Sequence, residues 1–477
     1  MTEATTGNKN LIGGIDDVIA PFLNGNREHR AGIELELTIL KQDRDGRFIP
    51  IDNAGNKSLQ HVLNNPAQYG YGFAPVETSE EAATLTLEVK TGAVSFADIE
   101  AILRDLDRQT FALQTVCADK GYIVCPFAQP PHIRHEDLFG SLIERASNRS
   151  EAFIAAFRAR NLDGYCQNFF LNNAVQVSIS YKDPEHLYRN VRRLAFLTSP
   201  LSTAHDNSSG YIEGKRDPLQ TGLRLRESLA QGGRGGAPDF FFTSKNGEDF
   251  IRNYFLWAFN TKLIARCDAN GENLQAVAPG DELSFQELIE RGGGLNHQTN
   301  FELAFGMLWP HVKLGYIRGV NGKVTGVRYE ARSCDAGGWR NASFPLVVAA
   351  LAFDEKFGRN VDALLAEYGF SVNDAADSVD LYRDSINAAL HYEDRFGTGA
   401  CTEFLSRFGA LVGKAFADIP DSQRHLKPFL KVSADGILPG VKAREQHPAL
   451  ADALAVLRAS AKNPSGKTAP DPLILRP

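Results

Sequence analysis

The chain has 477 residues, of which 43% are hydrophobic and 10% aromatic, enough for a large globular core. Its 58 acidic residues outnumber 51 basic ones, and the formal charge of −7 excludes a general positive field for nucleic acid or anionic membranes. The polar start MTEATTGNKN lacks the pattern of a signal peptide, no apolar run is long enough to span a membrane, and the six cysteines are scattered. We therefore expect a cytoplasmic protein with reduced thiols that contacts neither membrane nor nucleic acid.

Hydrophobic periodicity predicts strands and helices in a mixed order along the chain. The predicted elements are a short helix at 11–24, strands at 31–40 and 84–90, a helix at 98–121, a strand near 121–128, a strand at 173–181, a helix from Pro184 that ends before Ser199-Pro200, and a strand at 324–336. From about residue 342 the pattern is helical, and two or three more amphipathic helices are expected after residue 370.

This order predicts an α+β protein with a mainly antiparallel sheet. Its parts are an N-terminal helical segment (1–28), a catalytic α+β core (29–341), a helical C-terminal layer packed on the core (342–460) and a loose tail (461–477).

Four of the predicted strands have one apolar and one polar face, because side chains two residues apart share a side of a strand. The polar faces carry Glu34 and Glu36, then Glu88, then Gln176, and finally Arg328, Glu330 and Arg332. If the strands are neighbours, four carboxylates share one wall of the sheet and repel one another. Magnesium or manganese prefers such oxygen ligands, and arginines beside it suit phosphate groups, as in an ATP site. An antiparallel sheet with a solvated face carries similar charges, so alternation alone leaves both interpretations open.

Several segments resemble carboxylate–amine ligases of the glutamate–cysteine ligase type, in the glutamine synthetase-like superfamily. GIELELTIL is similar to the first strand of the plant-type and bacterial branch, with its ExE metal pair, and LEVKTGAVSFADIEAILRDL to its second acidic strand and following helix. NNAVQVSISY resembles its QVN strand. MLWPHVKLGYIRGVNGKVTGVRYEARSCDAGGWRNASFPLVVAALAFDE resembles its late segment with an E-x-R strand, a DxGG-W-R turn and a helix.

The resemblance implies a glutamine synthetase-like antiparallel half-barrel sheet that forms a funnel and is flanked by helices. The funnel would hold ATP, two or three Mg²⁺ ions and an amino acid. The implied reaction is ATP-dependent ligation of the glutamate side-chain carboxylate to an amine through an acyl phosphate, with cysteine as the default acceptor. The substrates are small molecules, and the protein is expected to be a monomer or homodimer.

The resemblance also assigns roles to individual residues. The metal candidates are Glu34, Glu36, Glu81, Glu88 and Glu330. The substrate and ATP candidates that it gives are Gln176, Arg226, Arg234, Arg332 and Trp339, and strand alternation adds Arg328. Arg332 and Glu330 are expected to be catalytic. An ordinary surface position explains Arg226 equally well, and core packing is the simpler explanation of Trp339.

Three departures from the family concern the amine acceptor. The first strand reads IELEL where the plant-type branch has EHE, Ser178 stands in the place of an asparagine, and Ala304 stands in the place of a histidine. A ligase for a different acid or amine therefore remains an alternative. A non-catalytic relative that binds a nucleotide or a protein is a second alternative.

Overall fold

A computed structural model of the protein describes residues 11–26, 28–80, 85–95, 98–134, 148–160, 171–217, 233–319, 323–336 and 343–462. Within these ranges the chain forms a large antiparallel sheet with helices against one of its faces. The predicted α+β class with a mainly antiparallel sheet is confirmed.

The described strands, numbered in chain order, differ widely in length. They are β1 (Arg30–Gln42), β2 (Phe48–Pro50), β3 (Thr78–Glu80), β4 (Thr86–Lys90), β5 (Val94–Ser95), β6 (Tyr122–Val124), β7 (Ala174–Ile179), β8 (Tyr211–Ile212), β9 (Lys215–Arg216), β10 (Gly235–Gly236), β11 (Ala265–Arg266), β12 (Gln275–Ala276), β13 (Trp309–Pro310), β14 (Val312–Arg318) and β15 (Val324–Asp335).

The described α-helices are numbered in the same way. They are α1 (Asp16–Asn24), α2 (Asn53–Asn64), α3 (Ile99–Asp119), α4 (Asn148–Arg158), α5 (Pro184–Ala204), α6 (Phe240–Thr243), α7 (Gly247–Asn260), α8 (Phe285–Arg291), α9 (Gln298–Gly306), α10 (Ser343–Phe353), α11 (Glu355–Glu367), α12 (Val379–Leu390), α13 (Cys401–Ala415), α14 (Pro420–Asp435), α15 (Pro439–Gln446) and α16 (Leu450–Lys462).

Strand β1 lies at the centre of the sheet. Its first half pairs antiparallel with β4 on one side and with β7 on the other, and its second half pairs with β6 and β2. The main path of the sheet is β14–β15–β7–β1–β4–β3. Because neighbouring strands are rotated relative to one another, and β1 changes partners along its length, the sheet curls into a half-barrel.

Helices cover the apolar face of the sheet. Helix α3 packs on β1 and β4, α5 packs on β14 and β15, and α10 packs on β7. Helix α10 is buried from Ser343 to Ala352, as expected of a helix that is apolar on all sides. The helices thus leave the opposite, polar face of the half-barrel as the surface on which a site can form.

One helix continues past its predicted end. Helix α5 includes Ser199 and Pro200 and extends four residues further. Proline has no N–H for the helix ladder and usually marks a boundary. Here the last turn is buried, and the hydroxyl groups of Ser199 and Ser202 donate to the carbonyl oxygens of Ser385 and Ser333, both at 2.9 Å. Tertiary packing outweighs the local preference, so the predicted end of the helix was wrong.

The C-terminal part contains more helices than predicted. Five helices, α12 to α16, follow residue 370 in the described part of the chain, where two or three were expected. Helix α16 ends at Lys462, so the first two residues of the predicted tail are helical, and residues 463–477 lie outside the described ranges.

The structure also describes the helices and the cysteines on which the expected cellular environment was based. None of the helices in the described ranges combines the length and the apolar character needed to cross a bilayer. The five described cysteines are all buried and unpaired, and the sixth, Cys166, falls outside the described residues.

Candidate functional site

The strand register gathers the polar side chains on one face of the half-barrel. Glu34 lies opposite Gln176 on one side and Lys90 on the other, and Glu36 lies opposite Glu88. On the far side of β7, Glu330 lies opposite Ser178, and β14 adds Lys313 opposite Glu330. We call this set the carboxylate face: Glu34, Glu36, Glu88, Lys90, Gln176, Ser178, Lys313, Arg328, Glu330 and Arg332.

The carboxylate face is not an ordinary solvated sheet surface. Glu36, Glu88 and Glu330 are only 7%, 5% and 6% exposed, and Gln176 is 3% exposed. Carboxylates are almost never buried to this extent unless they are paired or bind a cation. Of the two interpretations that alternation left open, burial excludes the solvated face.

Two of the carboxylates stand directly opposite each other and are held by neutral donors and one lysine. Glu36 accepts hydrogen bonds from the Gln176 side-chain amide (2.5 Å) and from the backbone N–H of Ala174 (2.7 Å). Glu88 accepts a hydrogen bond from the hydroxyl of Ser79 (2.6 Å) and pairs with the ammonium of Lys90 (2.6 Å). These contacts fix the direction of both carboxylates before any ligand is present.

The other two carboxylates share an arginine. The guanidinium of Arg328 lies 3.4 Å from Glu34 Oε1 and 3.1 Å from Glu330 Oε2. Arg332 approaches Glu330 from the other side, with its Nε 3.3 Å from Oε1. Arg328 thus reaches from β15 across β7 to β1 and bridges two acidic strands.

The electrostatic state of Glu34 reflects its crowded position. The pKa of its carboxyl is raised from the ordinary value of 4.5 to about 7. Burial is the largest cause, the charges of Glu330 and Glu88 act in the same direction, and Arg328 and Lys90 act in the opposite direction. The two cations therefore do not fully offset the desolvation of this carboxylate and its repulsion by the other two.

The face suits a hard divalent cation in its chemistry but is not arranged as a finished metal site. Carboxylate oxygens are the ligands that Mg²⁺ and Mn²⁺ prefer, and the raised pKa of Glu34 indicates that further positive charge would be favourable here. Among the residues that the structure describes, no three or more His, Cys, Asp or Glu side chains converge as a ligand set. If the face binds such an ion, the opposed carboxylates of Glu36 and Glu88 would supply its first protein ligands.

The remaining predicted site residues fall in different places. Glu81, Arg226 and Trp339 lie outside the described residues. Arg234 precedes β10, which pairs with β13, and its guanidinium donates to the carbonyl oxygen of Lys262 at 2.7 Å. That contact is with a loop and not with the carboxylate face.

Sequence reasoning missed two cations of the face. Lys90 follows Glu88 at the next position of the same strand face, so the alternation that selected Glu88 could also have found it. Lys313 lies on β14, a strand that was not predicted. With Arg328 and Arg332, these lysines supply four positive charges against the four carboxylates, so the chain itself balances most of the charge that a metal was expected to balance.

Comparisons with known proteins identify the fold. No protein-family profile and no curated protein sequence matches the chain. Among solved structures, it is similar to the glutamate–cysteine ligase of Francisella tularensis in complex with AMP, with a TM-score of 0.56 and 12% identity over 94% of this chain and 91% of that one. A bifunctional glutathione synthetase from Pasteurella multocida gives a TM-score of 0.41 at 11% identity, over 91% of this chain and 53% of that one. A glutamine synthase homolog gives 0.33 at 11% identity, over 91% and 70%.

The two lower scores add nothing to the assignment. The first similarity extends over nearly the whole of both chains and confirms the predicted glutamate–cysteine ligase-like fold, with its antiparallel half-barrel sheet and flanking helices.

Proposed function

We propose that the protein is an ATP-dependent carboxylate–amine ligase that joins the γ-carboxylate of glutamate to an amine. The observation that carries this proposal is the buried carboxylate face, in which four glutamates alternate with guanidinium and ammonium groups on the sheet of a glutamate–cysteine ligase-like fold. ATP and Mg²⁺ are the partners that such a combination of charges suits.

The reaction has two steps that balance in atoms and charge. An oxygen of the substrate carboxylate attacks the γ-phosphorus of ATP, so that an acyl phosphate forms and ADP leaves. The amine nitrogen then attacks the acyl carbon, inorganic phosphate leaves and the amine loses a proton. The first step is needed because a carboxylate is a poor electrophile, and most of the catalysis comes from positioning and charge stabilisation.

The described residues have distinct parts in this reaction. Mg²⁺ bound to the carboxylates would screen the negative charge of the phosphate oxygens. Arg332 presents a planar guanidinium to the transferring phosphoryl group and is itself positioned by Glu330. Gln176 holds Glu36 in a fixed direction through a 2.5 Å hydrogen bond, which preorganises the face.

Two residues bear on which amine the protein accepts. Cysteine is the default acceptor, but Ser178 provides a shorter side chain than the family's asparagine, and Ala304 is fully buried in α9, where it offers no polar group. These two positions favour, as a second candidate, a ligase of the same mechanism that uses a different amine or acid.

The test is ADP release over a panel of amino acids and amines, with the amide product identified by mass spectrometry. Release that requires both glutamate and cysteine supports the proposal, and release that requires another pair supports the second candidate. Glutamate labelled with ¹⁸O in the γ-carboxylate should transfer one label to the released phosphate, as the acyl phosphate route demands. The absence of ADP release with every pair would refute a ligase and favour a non-catalytic binding protein.

The matched variants are Glu330→Gln and Glu290→Gln. Glu330 lies on the carboxylate face, whereas Glu290 lies exposed on α8. We expect loss of ADP release for Glu330→Gln, with the protein still folded, and unchanged release for Glu290→Gln.

A further inference from the structure

The side chain of Arg328 fills the space between two carboxylates of the face. Its two terminal nitrogens lie 3.4 Å from Glu34 and 3.1 Å from Glu330, which belong to strands separated by β7. The β7 residue opposite Glu330 is Ser178, whose short side chain leaves room for a guanidinium to pass over the strand. One cation therefore already lies where the carboxylates of β1 and β15 meet.

The backbone beside Arg328 is shaped for its side chain. Gly315 of β14 is the register partner of Arg328, and a Cβ atom on Gly315 would lie 3.3 Å from Arg328 Nε and 3.4 Å from its Cγ. Such contacts are tighter than ordinary van der Waals packing, so a larger residue would push the arginine aside. The side chain is 33% exposed and therefore mostly packed, which limits the freedom of the guanidinium to leave.

A guanidinium in this position competes directly with a metal ion. A divalent ion bound by Glu34 and Glu330 would need their oxygens at about 2.1 Å, within the space that the guanidinium now fills. Two cations side by side on a buried face also repel each other strongly. The opposed pair Glu36 and Glu88 is held in another way, by an amide, a backbone N–H, a hydroxyl and the ammonium of Lys90.

We propose that Arg328 is a built-in counter-cation that takes the cation position of the carboxylate face between Glu34 and Glu330 and keeps divalent ions out of it. This inference rests on the proposed function, since it concerns where that reaction's metal ions bind. Arg328 is a positioning residue here, because it acts through the two carboxylates that it contacts. Removing its charge frees one further position for a divalent ion.

The test counts bound Mn²⁺ in the full-length protein, by calorimetric titration and by the electron paramagnetic resonance signal of free Mn²⁺. Arg328→Met should bind one ion more than the wild type, whereas Arg328→Lys should keep the wild-type number because it retains the charge. Arg318→Met is the matched control, since it removes one arginine from the same hairpin, where Arg318 pairs with Glu302 away from the face. It should also keep the wild-type number.

The outcomes separate this inference from the proposed function. Equal, non-zero numbers of ions in the wild type and Arg328→Met would overturn the inference alone. No Mn²⁺ binding by either protein would overturn both this inference and the metal-dependent function. Should Arg328→Met fail to fold, anomalous diffraction from wild-type crystals soaked in Mn²⁺ decides the matter. A peak between Glu34 and Glu330 would contradict the proposal. Bound Mn²⁺ elsewhere on the face, with no peak between these two residues, would support it.

Discussion

Replacing Glu34 with glutamine should stabilise the protein at alkaline pH and leave it nearly unchanged in acid. Burial and the charges of Glu330 and Glu88 raise the pKa of Glu34 from 4.5 to about 7 in the folded protein. Between these two pH values the folded state holds a proton that the unfolded state has released. The contribution of Glu34 to the free energy of unfolding is therefore fully present below pH 4.5 and is lost as the pH rises through 7. Glutamine imitates the protonated, neutral side chain at every pH.

The size of the effect follows from the pKa difference. A difference of about 2.5 pKa units corresponds to roughly 3 kcal/mol of unfolding free energy, at about 1.4 kcal/mol per unit. About 2 kcal/mol of this loss falls between pH 5.5 and 8.5. We therefore expect the difference in stability between Glu34→Gln and the wild type to grow by about 2 kcal/mol over that range.

Urea denaturation at pH 5.5, 7 and 8.5, without divalent ions, measures this difference from the midpoint and slope of each transition. Glu290→Gln, an exposed change on α8, is the control and should differ from the wild type by less than about 0.5 kcal/mol at all three pH values. Added Mg²⁺ should stabilise the wild type at pH 8.5 more than the variant. A difference that is constant across the pH range, or that is largest at pH 5.5, would refute the account of Glu34 given above.

Three further variants test the site and the packing around it. Arg332→Lys should lower kcat/KM by about 100-fold at unchanged Tm, because an ammonium lacks the planar fork that binds phosphoryl oxygens. Arg318→Lys is its control, and equal activity of the two variants would show that Arg332 is not part of the site. Asp362→Ala should cost roughly 3 kcal/mol in urea denaturation, since it leaves Arg193, 6% exposed and paired at 2.6 Å, without its carboxylate. Asp380→Ala, at 93% exposure, should cost little, and similar losses for the two would contradict this reasoning. Gly247→Ala should destabilise by about 1–3 kcal/mol, because its Cβ would lie 2.1 Å from the carbonyl oxygen of Pro184, whereas Gly72→Ala has no atom within 4 Å and should be neutral.

The sequence predicted the polar and apolar faces of the strands well, because they follow from alternation alone. In β1, Ile33 and Leu35 are buried on the helix side while Glu34 and Glu36 lie on the carboxylate face, as their positions two apart require. The family resemblance includes the same strands in the same order along the chain. The similarity to a solved glutamate–cysteine ligase confirms the fold that this resemblance implied.

Contacts between strands could not be predicted in the same way. Alternation does not specify the register between strands. Register places Glu36 opposite Glu88. It also brings Arg328 to Glu34, a residue nearly 300 positions earlier in the sequence. Strand β14 was missed because Gly315 interrupts its pattern of strand-forming residues, although that same glycine accommodates Arg328. The burial of the polar face is likewise a property of the curled sheet and not of any one segment.

The central place of β1 also affects the order in which the protein can assemble during synthesis. Ala31 of β1 pairs with Ile179 of β7, and β7 in turn pairs with β15, which ends at Asp335. At translation rates of about 5–20 residues per second, β1 must wait on the order of 10 s for β7 to be made and roughly as long again for β15. During that interval one edge of β1 is unpaired, and such an edge is prone to pair with other chains. A nascent chain stalled before residue 174 should therefore depend on chaperones more than one stalled after the whole sheet has left the ribosome.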